Sequence, residues 1–206
     1  MKNDWAMEQL QTIRTLMERA ALYRRALAPI YTLTGGIGLA AGLVAWKLQW
    51  ADTRHFGLFW LGVSVVSLGL AMLLIRQQAL KADEVFWSPP TRRVAATVSL
   101  PLLLGAVIGV AACFMVEAEN DTWPLVMIWL LLYGCALNAA GFFMRRGIRL
   151  LGWIFAFCGL GVMLLPALAD DLAPAWPNLV MAGTFGGLHL AYGIYLYFTE
   201  KPDKTA

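Results

Sequence analysis

With 206 residues, 60% of them hydrophobic and only 14% charged, the chain sits far from soluble proteins, which average about 45–50% apolar and ~25% charged. Nine tryptophans and nineteen glycines point the same way. A net charge of +3, carried by basic residues scattered between apolar runs, excludes a nucleic-acid-binding face.

The chain reads as an all-α integral membrane protein with six transmembrane helices in three hairpins, preceded by a cytoplasmic amphipathic helix. Residues 1–28 are expected to form that interfacial helix, with Asn3 or Asp4 as its N-cap. Trp5, Leu10, Ile13 and Met17 share a wide apolar arc, while Arg14, Glu18 and Arg25 occupy the other side. Such a face suits a membrane surface, a cytoplasmic protein partner or a second copy of the chain. The segment carries charges throughout and has no continuous apolar run, so no cleavable signal peptide is expected.

Residues 29–198 form the transmembrane domain. Pro29 opens the first span, Pro29–Leu48, which contains Gly38 and Gly42 at the four-residue spacing of close helix contact. The second span is Phe56–Ile75, with an amphipathic extension toward Trp87 that Ser88-Pro89-Pro90 ends. The third, Val94–Val116, has Pro101 as an expected kink and a second close-approach pair, Gly105 and Gly109. Pro124 starts the fourth span, which runs to Met144 with Asn138 inside. Leu150–Leu168 is the fifth. The sixth, Asn178–Phe198, carries His189 near its middle and a third small pair, Gly183 and Gly187. Residues 199–206 are a cytoplasmic tail.

Of the 16 Lys and Arg residues only Lys47 and Arg54 fall on the side opposite the termini. By the positive-inside rule both termini are cytoplasmic, and the localisation is a multi-pass protein of a bacterial inner (cytoplasmic) membrane. Glu117, Glu119, Asp121, Asp170 and Asp171 give the outer side an acidic rim.

Chemistry-bearing side chains are few. Cys113, Cys135 and Cys158 lie in three different spans without a CxxC pair, and read as small packing residues. A rhomboid-type protease needs a GxSG serine in its fourth span; here that stretch reads Gly134-Cys135-Ala136-Leu137, with no serine between Pro124 and Met144. A Cys135–His189 dyad would be the remaining catalytic arrangement. The two histidines, His55 at the outer edge and His189 at mid-depth, are at incompatible depths for paired haem ligation. No HExxH motif or paired intramembrane carboxylates occur, so no cofactor or metal is expected.

A polar core cluster remains. By the 1.5 Å rise per residue, His189 and Ser67 lie roughly 16 Å, and Asn138 roughly 21 Å, from the outer ends of their spans. Thr34, Tyr133 and Tyr192 fall in the same zone. His189 is expected to be a neutral, structural hydrogen-bonder with Asn138 or Ser67 as partner. Such a cluster joins helices in the first reading and lines a solute path in the second. The corresponding functions are a non-enzymatic scaffold or regulatory subunit presenting its basic cytoplasmic face to a partner, or a small-solute channel or transporter near Asn138 and His189. The expected partners are the lipid bilayer, a cytoplasmic protein or a homo-oligomer, and no nucleic acid.

Overall fold

The structure, a computed structural model, describes residues 27–81, 83, 85–114, 121–144, 146–165 and 174–199. Nearly all of the expected amphipathic helix (including Trp5, Leu10, Ile13 and Met17), the tail beyond residue 199, and the acids Glu117, Glu119, Asp170 and Asp171 lie outside the described residues. Among the described residues the protein is all-helical, without strands. Its helices are α1 (Leu27–Lys47), α2 (Thr53–Lys81), α3 (Pro89–Phe114), α4 (Trp123–Ala140), α5 (Arg146–Val162) and α6 (Trp176–Thr199). All but α5 are long and apolar enough to cross a membrane, which makes the chain a multi-pass membrane protein. The 17 residues of α5 span about 26 Å, a little less than the ~30 Å bilayer core. It closes in a turn where Met163 and Leu164 bond three residues back to Leu160 and Gly161, just ahead of Pro166.

Helix ends depart from the expected boundaries in both directions: α4 stops at Ala140, short of Met144, and the α2 extension expected to run toward Trp87 ends at Lys81. α2 begins at Thr53 and continues to Lys81, and α3 and α5 begin at Pro89 and Arg146, ahead of the expected Val94 and Leu150. Backbone hydrogen bonding does not stop where charged side chains begin, so hydropathy marks the lipid boundary and not the helix boundary. α3 also continues through Pro101 as one helix.

The turn after α1 positions later elements. Gln49 takes the left-handed conformation (φ 53°). The N–H of Trp50 bonds back to Ala45 O and that of Gln49 to Trp46 O, each at 3.1 Å, which is the Schellman pattern. Asp52 then opens α2: its carboxylate accepts the His55 backbone N–H at 2.9 Å and meets the His55 ring Nδ1 at 2.6 Å. Burial alone would push this carboxyl up, but the backbone and ring hydrogen bonds from His55 outweigh it and hold it below the usual carboxylate range. The resulting stability is present above the unfolded value near pH 4 and is lost as pH falls through the lower folded value. Asp52→Ala should therefore destabilise at neutral pH by under about 1 kcal/mol, because the pair is solvent-screened. The deficit should vanish in acid, as read by thermal unfolding against pH.

Two antiparallel pairs, α1–α6 and α4–α5, meet at backbone contact through glycine. A Cβ on Gly35 would lie 2.7 Å from Leu190 Cα, one on Gly42 3.0 Å from Ala182 Cα, and one on Gly193 3.0 Å from Thr32 Cα. In the second pair, a Cβ on Gly134 would lie 2.7 Å from Gly152 O, and one on Gly152 2.7 Å from Asn138 N. Gly159 abuts Leu131, and Gly141 abuts Arg149. The pairs Gly35/Gly42, Gly186/Gly193, Gly134/Gly141 and Gly152/Gly159 are each one heptad apart, which keeps both members on one face over two turns.

The four-spaced glycines have mixed fates. Gly38 meets Gly186 and Phe185 across α1–α6, next to Gly42. Gly105 and Gly109 receive the Trp129 ring instead of a helix backbone; its Nε1–H donates to Gly105 O at 2.8 Å. No described residue lies within 4 Å of a Cβ built on Gly183, and Gly187 meets only the Ala182 carbonyl of its own helix at 3.8 Å.

α2 and α3 lie at the edge of the bundle, with 17% and 11% of their apolar windows buried, against 33% for α1 and α6. α4 and α6 are the inner helices, 39% and 33% buried over the same kind of window, and α6 touches α1, α2, α4 and α5 through the contacts below.

Candidate functional site

The site is built around a widened turn in α6. Ala182–Leu188 (AGTFGGL) forms a π-helical segment, which three glycines make sterically easy because few side chains crowd the turn. Gly183 and Gly187 each follow a residue in contact with α1, Ala182 and Gly186, by one position, so they point about a quarter-turn away from that helix. At the segment's end the backbone N–H of His189 bonds to Gly186 O. The Phe185 carbonyl, four residues back, meets the ring Nδ1 of His189 at 2.5 Å. The imidazole thus takes the place that its own backbone N–H fills in a regular α-helix.

That carbonyl can only accept, so Nδ1 carries the proton. In a neutral ring Nε2 is then an acceptor, and the Tyr133 hydroxyl of α4 donates to it at 2.7 Å. His189 is 2% exposed, and an imidazolium here would have no described carboxylate beside it, so the neutral form is the one this geometry serves. Tyr31 of α1 stacks on the ring at 5.5 Å between centroids; Phe155 of α5 and Phe185 of α6 approach at 5.2 and 4.8 Å. Tyr192 packs edge-on against Tyr31 at 4.9 Å, and its hydroxyl lies beside Gly147 at the start of α5. One imidazole therefore joins four helices.

A second polar clip lies nearer the end of the bundle where α6 begins. Asn178, fully buried at the start of α6, accepts from Trp60 Nε1 of α2 at 3.0 Å and donates to the Trp50 carbonyl at 2.7 Å. The left-handed Gln49 is what turns that carbonyl inward. Only one orientation of the amide makes both bonds, so every buried polar atom of Asn178 has its complement.

Of the side chains singled out from sequence, His189 and Tyr192 belong to this centre, and Asn138 and Ser67 stand apart from it. Neither supplies a hydrogen bond to the ring. Asn138 lies at the α4–α5 contact against Gly152. Ser67 is buried on α2, and its hydroxyl has no hydrogen-bond partner among the described residues. Tyr133 replaces Asn138 for a simple reason: it is five residues nearer the N-terminal end of α4, about 7.5 Å along the helix, and its longer side chain reaches α6. Asn178 is not singled out by the sequence: it is a lone amide at the first position of the sixth apolar run, with no second polar residue nearby to mark it.

The arrangement has little capacity for covalent chemistry. Cys135 is exposed on α4 while His189 is buried and bonded to Tyr133, so the Cys135–His189 dyad does not form. Neither ring nitrogen is left over for a metal, and among the described residues no three His, Cys, Asp or Glu side chains gather as a ligand set. What the centre can do is fix the relative positions of α1, α4, α5 and α6. Compared with protein-family models, with curated proteins and with solved structures, the chain finds no match.

Proposed function

We propose that this chain is a non-enzymatic scaffold or regulatory subunit of a bacterial inner membrane, presenting its basic cytoplasmic face and N-terminal amphipathic segment to a partner. The observation that supports this reading is the closed polar centre. His189 is buried with both ring nitrogens bonded inside the bundle, and aromatic rings from α1, α5 and α6 surround it. A solute passing at this depth would have to break both hydrogen bonds and part those rings. Solute transport past Asn138 and His189 is for that reason the weaker reading.

In this proposal all six helices span, with both termini cytoplasmic. α5 counts as a span because it packs along α4 from Arg149 to Gly159 in spite of its length. Single cysteines placed at Glu119 and Asp170 should react with a membrane-impermeant thiol reagent from outside, and those at Lys81, Arg146 and Lys204 only from inside. A cytoplasmic Asp170 would break the six-span count, because α5 would then not cross.

The functional test is purification of the full chain in mild detergent with identification of proteins at fixed stoichiometry. A partner should be retained by the wild type and released by Leu10→Ala/Ile13→Ala, with the bundle's unfolding temperature unchanged. Recovery of the chain alone, together with saturable solute flux in vesicles, would reverse the assignment.

A further inference from the structure

We infer that the α2–α3 corner is a binding site for an anionic lipid headgroup. α2 has 29 residues, about 43 Å of helix, against a bilayer core of ~30 Å. Its first turn is fixed at the opposite surface by Asp52 and His55. The excess length therefore emerges at the other end and carries Arg76 and Lys81 past the hydrocarbon. The register comes from the contacts of Gly57 with Cys113 and of Gly109 with Leu61. Followed down the antiparallel pair, it sets Arg76 abreast of Arg93 and Val94, and Lys81 abreast of Pro89.

The corner itself is fixed. Ser88 and Thr91 hydroxyls are 2.9 Å apart, and Thr91 Oγ1 donates to the Phe86 carbonyl at 3.2 Å. Arg76, Lys81, Arg92 and Arg93 are exposed, four cations against one described acid at the corner, the exposed Asp83, which forms no ion pair with any of them. Beside these cations stand exposed apolar side chains, Leu80, Val85 and Trp87. A soluble anion has no use for that apolar border. A phospholipid does, because its phosphate meets the guanidinium groups while its acyl region covers the leucine, valine and indole. The inference borrows from the proposed function only the leaflet that supplies the lipid, since binding in detergent is independent of orientation.

The test uses the full chain in neutral detergent with added phosphatidylglycerol or phosphatidylcholine, read by unfolding temperature and by the lipid retained in native mass spectrometry. Phosphatidylglycerol should raise the unfolding temperature and be retained, and added salt should weaken the effect. Arg76→Gln/Arg93→Gln should bind it about thirtyfold more weakly, as expected for losing two headgroup-level cations. Arg146→Gln, at a different corner, should leave the response unchanged. Equal responses to the two lipids, or an undiminished response in Arg76→Gln/Arg93→Gln, would overturn the site. So would a double variant that binds lipid normally but sheds a co-purifying protein, because the corner would then be a protein contact. The thiol-labelling experiment reports separately on orientation.

Discussion

Leucine at Gly186 should leave no folded bundle in mild detergent, while leucine at Gly36 should be nearly silent. A Cβ on Gly186 would lie 2.7 Å from Leu39 Cα and 2.8 Å from the Gly38 carbonyl carbon, whereas one on Gly36 meets no described residue within 4 Å. Overpacking usually costs about 1–3 kcal/mol because neighbouring side chains can move aside. Here the obstacle is main chain, so α1 itself would have to retreat. That retreat would draw Tyr31 off His189 and open the Thr32–Gly193 contact, so several interactions fail together. A loss above about 4 kcal/mol, in the range reserved for named structural failures, is the expected result. Gly152→Leu should behave similarly, since its Cβ would meet Asn138 N at 2.7 Å in the α4–α5 contact. The measurement is thermal or denaturant unfolding followed by near-ultraviolet circular dichroism, with gel filtration as a check on the folded state. A Gly186→Leu protein that melts with the wild type would remove glycine contact as the basis of the α1–α6 pair.

These same glycines mark how far the sequence could be read. Long apolar runs identify helices directly, because a membrane-crossing segment must satisfy its own backbone and present apolar side chains to lipid. The packing inside the bundle was legible only in part. Gly38 and Gly42 sit at the familiar four-residue spacing and do meet α6. Gly134/Gly141 and Gly152/Gly159 carry an equally close contact at seven-residue spacing, which becomes meaningful once α4 and α5 are known to be antiparallel neighbours. Gly183 and Gly187 show the converse, since the same four-residue spacing falls one residue off the face that meets α1. The π-helical turn leaves no mark in hydropathy, because it alters hydrogen-bond reach and not side-chain polarity. The partner of His189 required a comparison of depths between two helices, and it turned on the five-residue difference between Tyr133 and Asn138.

His189→Leu should destabilise the bundle by roughly 2–4 kcal/mol, because two buried polar groups lose their complement at once. The Tyr133 hydroxyl and the Phe185 carbonyl both face the ring now, and leucine offers neither an acceptor nor a donor. Tyr133→Phe should cost less, about 1–2 kcal/mol, since only Nε2 is left unpaired. If the two side chains act as one bonded unit, the double variant should be less damaged than the sum of the singles, with a coupling of about 1 kcal/mol. His189→Gln keeps a donor and an acceptor and should fall between wild type and His189→Leu, because a flexible amide cannot reproduce the ring's stacking on Tyr31. Function separates the two readings of the centre. In a scaffold, any folded His189→Gln protein keeps its partner, since the imidazole's work is positional. A His189→Gln protein that folds and inserts normally yet loses partner or solute handling would make His189 a functional group in its own right. Full additivity of His189→Leu and Tyr133→Phe would dissolve the pair as a unit and leave the Phe185 carbonyl as the ring's main anchor.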